Sequence, residues 1–200
     1  MPYVEASVRS KQFVAAARAV MARDGVAGAT LRAVAAEADV PLGTLQYVFP
    51  SKERLLGAVI EDVVDEISGL LQHSVEADRG LAHAIRHGLT TFWSQLVAGH
   101  VHSQLVQVEL LVYALRRPGQ EHLARWQYER YVSAIADGCR SAAAQAGETC
   151  AVPFDRLARV MLAGVDGLIV QYACDPDDER AGADLETVID MVVGLARIER

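Results

Sequence analysis

The sequence holds no apolar run of 18 residues without a charge, so no membrane-spanning helix is expected. Cysteine is scarce and odd in number: Cys139, Cys150 and Cys174 stand far apart, in neither a disulfide framework nor a zinc pattern. A reducing cytoplasm suits them. The basic residues Arg9, Lys11, Arg18 and Arg23 are spread through the N-terminal stretch, which does not fit a signal peptide. Proline is rare, at six in 200 residues, and β-branched runs are few. With a hydrophobic fraction of 52%, this favours an all-α globular protein large enough to bury a core. No nucleophile, base and orienting group are arranged together, and no glycine-rich phosphate loop is visible, so no enzyme, catalytic residue or cofactor is expected. His83 and His87 stand four apart on one helix but lack a third ligand at motif distance, so a solvated pair is expected and no metal. Cys139 or Cys174 could sense oxidants only beside an activating base. Arg140 adjoins Cys139 in sequence, but helical neighbours point apart.

Charge is unevenly spread. The chain carries a net charge of −7, yet residues 1–60 hold seven Lys+Arg against five Asp+Glu, a net of +2. The other 140 residues hold twelve against twenty-one, a net of −9. A positive end on an acidic body fits a protein that touches nucleic acid through one end.

That end contains Thr30–Lys52, TLRAVAAEADVPLGTLQYVFPSK. Thr30 is an N-cap, and Leu31, Val34, Ala35 and Ala38 make one apolar face of a short helix. Asp39 tolerates a left-handed turn, and Pro41 has a φ suited to the first position of a new helix. A second short helix follows to Phe49, with Leu45, Val48 and Phe49 inward. Such a pair is a helix-turn-helix, whose second helix enters the DNA major groove. A preceding helix over about Val8–Arg23 buries Phe13, Ala16, Ala17, Val20 and Met21 and ends at Gly25 in a left-handed C-cap. The outward residues Leu42, Gly43, Thr44, Gln46 and Tyr47 are the candidate DNA face. Gln46 can read adenine, Thr44 a base or phosphate, and Tyr47 a thymine methyl or phosphate. Thr30, Arg32 and Lys52 complete the candidate set, Arg32 for guanine or backbone and Lys52 for phosphate.

Val40, Gly43-Thr44-Leu45, Phe49 and Ser51-Lys52-Glu53-x-Leu55-Leu56 together resemble the DNA-binding signature of TetR/AcrR-type transcriptional regulators over roughly residues 8–60. The resemblance implies DNA contacts at Arg32, Leu42, Thr44, Gln46, Tyr47 and Lys52. Asp39, Pro41, Gln46 and Val48 depart from the residues common in that family; Pro41 lacks the usual capping hydroxyl and Val48 a possible phosphate contact.

Beyond it, a long helix Lys52–His73 capped by Ser51 leads into the acidic body, and a loop is expected at Glu76–Gly80. Further helices are expected at Leu81–Ala98, Val101–Arg117, His122–Ala146, Phe154–Ala173 and Leu185–Ile198. Phe92, Trp93, Tyr113, Trp126, Tyr128 and Tyr131, with His100, His102, Gln104, Gln107 and Glu109 nearby in sequence, suggest an apolar cavity with a few polar groups. Trp93, Gln107, Tyr113, Trp126 and Asp166 are the candidate effector-binding residues. The apolar and small residues of the last two helices suggest a homodimer, with Leu157, Met161, Gly164, Leu168, Ile189 and Val193 as candidate interface. The family resembled dimerises through its last two long helices.

The expectation is therefore a DNA-binding domain over 1–52 and a helical effector-binding and dimerisation domain over 53–200. It is that of a cytoplasmic, homodimeric, ligand-responsive regulator, most simply a repressor on a palindromic operator released by a small molecule. The rivals are a helical enzyme using the aromatic cavity, or a dimeric interaction module without DNA binding.

Overall fold

A computed structural model describes residues 6–73 and 79–199, without the side chains of residues 6, 7, 70–73 and 102. The expected loop from Glu76 to Asp78, and the side chains of Leu71 and His102, lie outside the described residues. Among the described residues there are nine α-helices and no strand beyond an isolated bridge between Thr149 and Glu199. In chain order they are α1 (Ala6–Gly28), α2 (Leu31–Glu37), α3 (Leu42–Val48), α4 (Lys52–His73), α5 (Leu81–Phe92), α6 (Val101–Arg116), α7 (Glu121–Ala146), α8 (Phe154–Cys174) and α9 (Asp178–Ala196). The all-α expectation and its helix count hold.

They form two compact units. The first comprises residues up to 65 with 106–127, the second 66–105 with 128 onward. In the first, α1, α2 and α3 pack on one another around Phe13, Met21, Val34, Leu45, Leu55 and Leu56, all at most 1% exposed. In the second, α5, α8 and α9 pack around Leu81, Ile85, Leu157 and Ile189, all fully buried. Helix α8 is long and apolar enough to cross a membrane by length and composition alone. Its Leu157, Ala158, Met161, Val165, Leu168 and Ile169 are instead spent on this core.

Three boundaries differ from expectation for local reasons. The expected helix Leu81–Ala98 is α-helical to Phe92 and then widens into a π-helical turn, Trp93–Val97. Gln104 is buried and its amide donates to the Leu96 carbonyl at 2.8 Å, satisfying a group that the altered ladder frees. The last helix begins seven residues before Leu185, because Asp177 caps it, accepting from Arg180 N at 2.9 Å. Asp178 and Glu179 form its first turn and favour the positive end of the helix dipole. Pro41 sits one place earlier than expected, as the N-cap of α3 at φ −57°, ψ 140°.

The candidate dimer residues need correction. Leu157, Met161, Leu168 and Ile189 are buried in the protomer's own core, from 0% to 8% exposed, so they have little surface to offer a partner. Val193 is half-buried against that core. Gly164 is where α9 approaches α8: a Cβ there would lie 2.6 Å from Val188 Cγ1. Val188 is β-branched and stiff, so it yields little. Gly164→Ala is expected to lower stability by about 1–3 kcal/mol despite alanine's better helix propensity. Urea unfolding followed by circular dichroism measures this.

Candidate nucleic-acid interface and effector site

Thr30 ends the connector after α1 with extended backbone, and its hydroxyl accepts from Ala33 N at 3.1 Å, starting α2. The turn after α2 depends on Asp39, whose φ of 52° lies in the left-handed region. That twist lets Val40 N reach back to Ala35 O at 3.0 Å. Pro41 O then accepts from Thr44 N at 2.9 Å, and α3 begins. Leu45 and Phe49 are buried and anchor the helix. Gln46 and Tyr47 are thereby turned to solvent, and Tyr47 is 89% exposed. Gly43 and Arg32 are exposed too, while Leu42 and Thr44 are half-buried. An aromatic side chain that exposed contributes almost nothing to folding, so its burial is left for a partner.

The basic residues of this unit divide into those spent on the fold and those left over. Arg18 pairs with Asp62 at 2.8 Å, and Arg23 ties α1 to α2 through Glu37 at 2.9 Å. Lys52 is also engaged: its Nζ donates to the carbonyls of Val26 at 2.8 Å and Ala27 at 3.1 Å, near the end of α1. Burial, and then the nearby Arg117 guanidinium, lower the Lys52 pKa. The candidate phosphate ligand therefore lies half-buried against protein backbone. Lys11, Arg32 and Arg54 of the same unit are exposed.

Candidate effector residues fall in both units. In the first, Gln107 lines a crevice with Ile60, Val63, Leu110 and Gln127 that is too narrow to admit water. Tyr113 is half-buried; the Arg117 guanidinium lies 4.9 Å from its ring centroid and the Lys52 ammonium 5.9 Å. Its hydroxyl makes no hydrogen bond among the described residues. Trp126 is half-buried in the same unit.

In the second unit, Trp93 is buried edge-on to Tyr172, with centroids 5.7 Å apart. Asp166 on α8 accepts from the Tyr128 hydroxyl of α7 at 2.7 Å. Burial raises the Asp166 pKa, and the Tyr128 hydrogen bond opposes that only in part. Burial, and then the bond to Asp166, push the Tyr128 pKa up as well. Among the described residues this half-buried carboxylate has the neutral Tyr128 hydroxyl as its donor and no ion pair.

Other chemistry recedes. The rings of His83 and His87 stack 5.6 Å apart, and no cluster of three metal-ligating residues occurs among the described residues. Burial pushes the Cys139 thiol up to about 12, so it is protonated and unreactive at neutral pH.

One long-range contact is not legible in the sequence. Glu109, noted only as a polar neighbour of the aromatics, accepts from Val26 N at 2.8 Å, across 83 residues of sequence. A left-handed Gly25 was the available hint, since it interrupts a helix and frees backbone groups that something must satisfy.

Residues 13–59 match the family model for bacterial regulatory proteins of the tetR family. Residues 85–196 match that for the C-terminal region of BetI-type transcriptional repressors. The HTH-type nicotine-responsive transcriptional repressor HdnoR of Paenarthrobacter nicotinovorans is 30% identical over 175 residues, covering 86% of this chain and 87% of that protein. Among solved structures, a transcriptional regulator from Rhodococcus sp. Rha1 superposes with a TM-score of 0.77 at 22% identity, over 96% of this chain and 99% of that one. The multidrug binding protein EbrR complexed with imidazole does so with a TM-score of 0.71 at 24% identity, over 96% and 97%. These matches do not favour the helical enzyme or the interaction module without DNA binding. An outward-facing recognition helix, the family matches at both ends of the chain and a relative spanning most of its length agree: this protein belongs to the TetR family of transcriptional regulators.

Proposed function

We propose that residues 1–52 are the DNA-reading head and 53–200 the effector-binding and dimerisation body of a cytoplasmic homodimeric repressor. Helix α3 enters the major groove with Gln46 and Tyr47 leading, and Arg32 and Thr44 flank them. Two-fold symmetry then requires a palindromic operator. The observation that carries this reading is the division of α3 into buried anchors, Leu45 with Phe49 behind it, and a large exposed set ending in Tyr47.

Dimerisation is supported by the faces that α8 and α9 leave uncovered. Val160, Ala163, Gly167, Val170 and Cys174 follow at alternating three- and four-residue steps, all exposed and all uncharged. Thr187, Met191 and Gly194 do the same on α9, Met191 being 69% exposed. Two such stripes meeting their symmetry mates make a four-helix interface.

The effector is a cationic amine. Asp166 offers it a half-buried carboxylate; among similar proteins HdnoR is nicotine-responsive and EbrR forms complexes with imidazole and malachite green, and all three compounds carry basic nitrogen or positive charge. Binding shifts the population toward a state of lower DNA affinity.

The test is fluorescence anisotropy of a labelled duplex from the region upstream of the protein's own gene, with nicotine and malachite green as probes. Binding that weakens log-linearly with salt, is outcompeted only by the same duplex and is released by a cationic probe supports the reading. Binding no tighter than to a scrambled duplex sinks it.

A further inference from the structure

Both backbone polar groups of Val26 are held by side chains from elsewhere in the first compact unit. Its N–H donates to Glu109 of α6 at 2.8 Å, and its carbonyl accepts from Lys52 of α4 at 2.8 Å. The hold exists because Gly25, at φ 70° and ψ 172°, breaks the helical ladder of α1 and turns the Val26 peptide outward. Even a methyl at position 25 would lie 3.3 Å from Glu109 Oε2, so the carboxylate is seated closely against the break. Tyr113, one turn after Glu109 on α6, has the Lys52 ammonium 5.9 Å from its ring centroid. Helix α6 thus meets this peptide directly through Glu109 and again through the ammonium beneath which Tyr113 lies.

The same stretch of α6 carries Gln107 and Leu110, which line the crevice with Ile60 and Val63 of α4. On the other side, Val26 is four residues from Thr30, which caps α2. One helical segment therefore has the crevice at one set of its residues and the start of the helix-turn-helix at another. A carboxylate–amide bond is the stronger kind of backbone contact, and it is directional, so a shift of α6 either drags the peptide or releases it.

We propose that Glu109 is the positioning residue through which α6 sets the segment from the Gly25 break in α1 to Thr30, the connector to α2, and with it the orientation of α2 and α3 toward DNA. The proposal rests on the DNA-binding reading above. In the state described here Glu109 holds Val26; displacement of α6 breaks that bond, frees the connector and lowers operator affinity.

The experiment compares the full-length wild type with Glu109→Ala and Glu109→Gln by amide hydrogen exchange and by anisotropy with the labelled upstream duplex. Alanine is expected to speed exchange at residues 26–30 on the order of tenfold, with α5, α8 and α9 unchanged, because the opening is local. Duplex affinity falls about tenfold with it, as one charge-assisted bond is lost. Glutamine, whose Oε1 still accepts, restores most of both; a residue that merely fills space would not distinguish the two variants this way. Unchanged exchange at Val26 in the alanine variant overturns the proposal. So does faster exchange with wild-type affinity, since the bond would then be structural only. If alanine unfolds the chain, the glutamine variant decides: partial loss of protection and affinity together supports the coupling, and loss of one without the other overturns it. A wild type that fails to bind the duplex overturns the underlying reading instead, and is told apart because no variant is involved.

Discussion

Gln46→Ala with Tyr47→Ala is expected to abolish sequence-specific DNA binding while leaving the fold intact. Both side chains are exposed, Tyr47 at 89%, so truncation removes little packing. Surface truncations of this kind shift stability by only about 0.5 kcal/mol. The anchors Leu45 and Phe49 stay buried, so α3 keeps its place. On DNA the same atoms are worth more, because a good base contact discriminates by about 1–3 kcal/mol and two of them compound to roughly a hundredfold or more. Anisotropy should show the upstream duplex bound no better than a scrambled one. At low salt a weak residual affinity should survive, since the exposed charges of Lys11, Arg32 and Arg54 are untouched and attract phosphate whatever the sequence. Circular dichroism and melting temperature should match wild type. A double variant that still prefers its own duplex would mean that α3 is not the reading helix.

The legible part of this molecule is the part built from near neighbours. Thr30, Asp39 and Ser51 act within three or four residues of themselves, and each does what its chemistry suggests: Ser51 Oγ accepts from Arg54 N at 3.3 Å as the cap of α4. Helical periodicity likewise marks the buried stripe of α1. The start of α9 was equally local and was missed, because the run Asp175–Glu179 reads as a solvated turn unless Asp177 is taken as a cap. Periodicity says that Leu157, Met161, Leu168 and Ile189 are apolar faces, but not which neighbour covers them. The protomer's own core took those positions, leaving Val160, Val170 and Met191 outside. The least legible features join distant residues: Glu109 to Val26, and Lys52 folded back on α1. A lysine at the start of a helix after a recognition helix looks like a phosphate ligand. The carbonyls left near the α1 break are a competing partner that only the fold supplies. The aromatic set suffers likewise, since Tyr113 and Trp126 belong to one compact unit and Trp93 to the other.

Asp166→Asn separates what a residue does for stability from what it does for response, and the two effects should have opposite signs. Burial raises the Asp166 pKa above its unfolded value. The native state therefore holds the proton more tightly than the unfolded chain does. The contribution of this group is most favourable below the unfolded pKa of about 3.9, declines as pH rises through the raised native value, and is wholly unfavourable above it. Asparagine removes the charge while its Oδ1 still accepts from the Tyr128 hydroxyl, now 2.7 Å from Asp166 Oδ2. The variant should melt at or above the wild-type temperature at pH 7, and the difference should shrink as pH falls toward 4. Its operator affinity should be unchanged, for Asp166 belongs to the other compact unit from α3. Release of DNA by the cationic probes should nevertheless be lost, or need roughly tenfold or more higher concentration, because a desolvated ammonium–carboxylate pair loses its anion. Melting curves across pH and anisotropy titrations give both readouts on one sample. A variant that is less stable at pH 7, or that still releases DNA at wild-type probe concentrations, would remove Asp166 from the effector site. The gain in stability would then have no functional counterpart, and the half-buried carboxylate would need another reason to stand in this core.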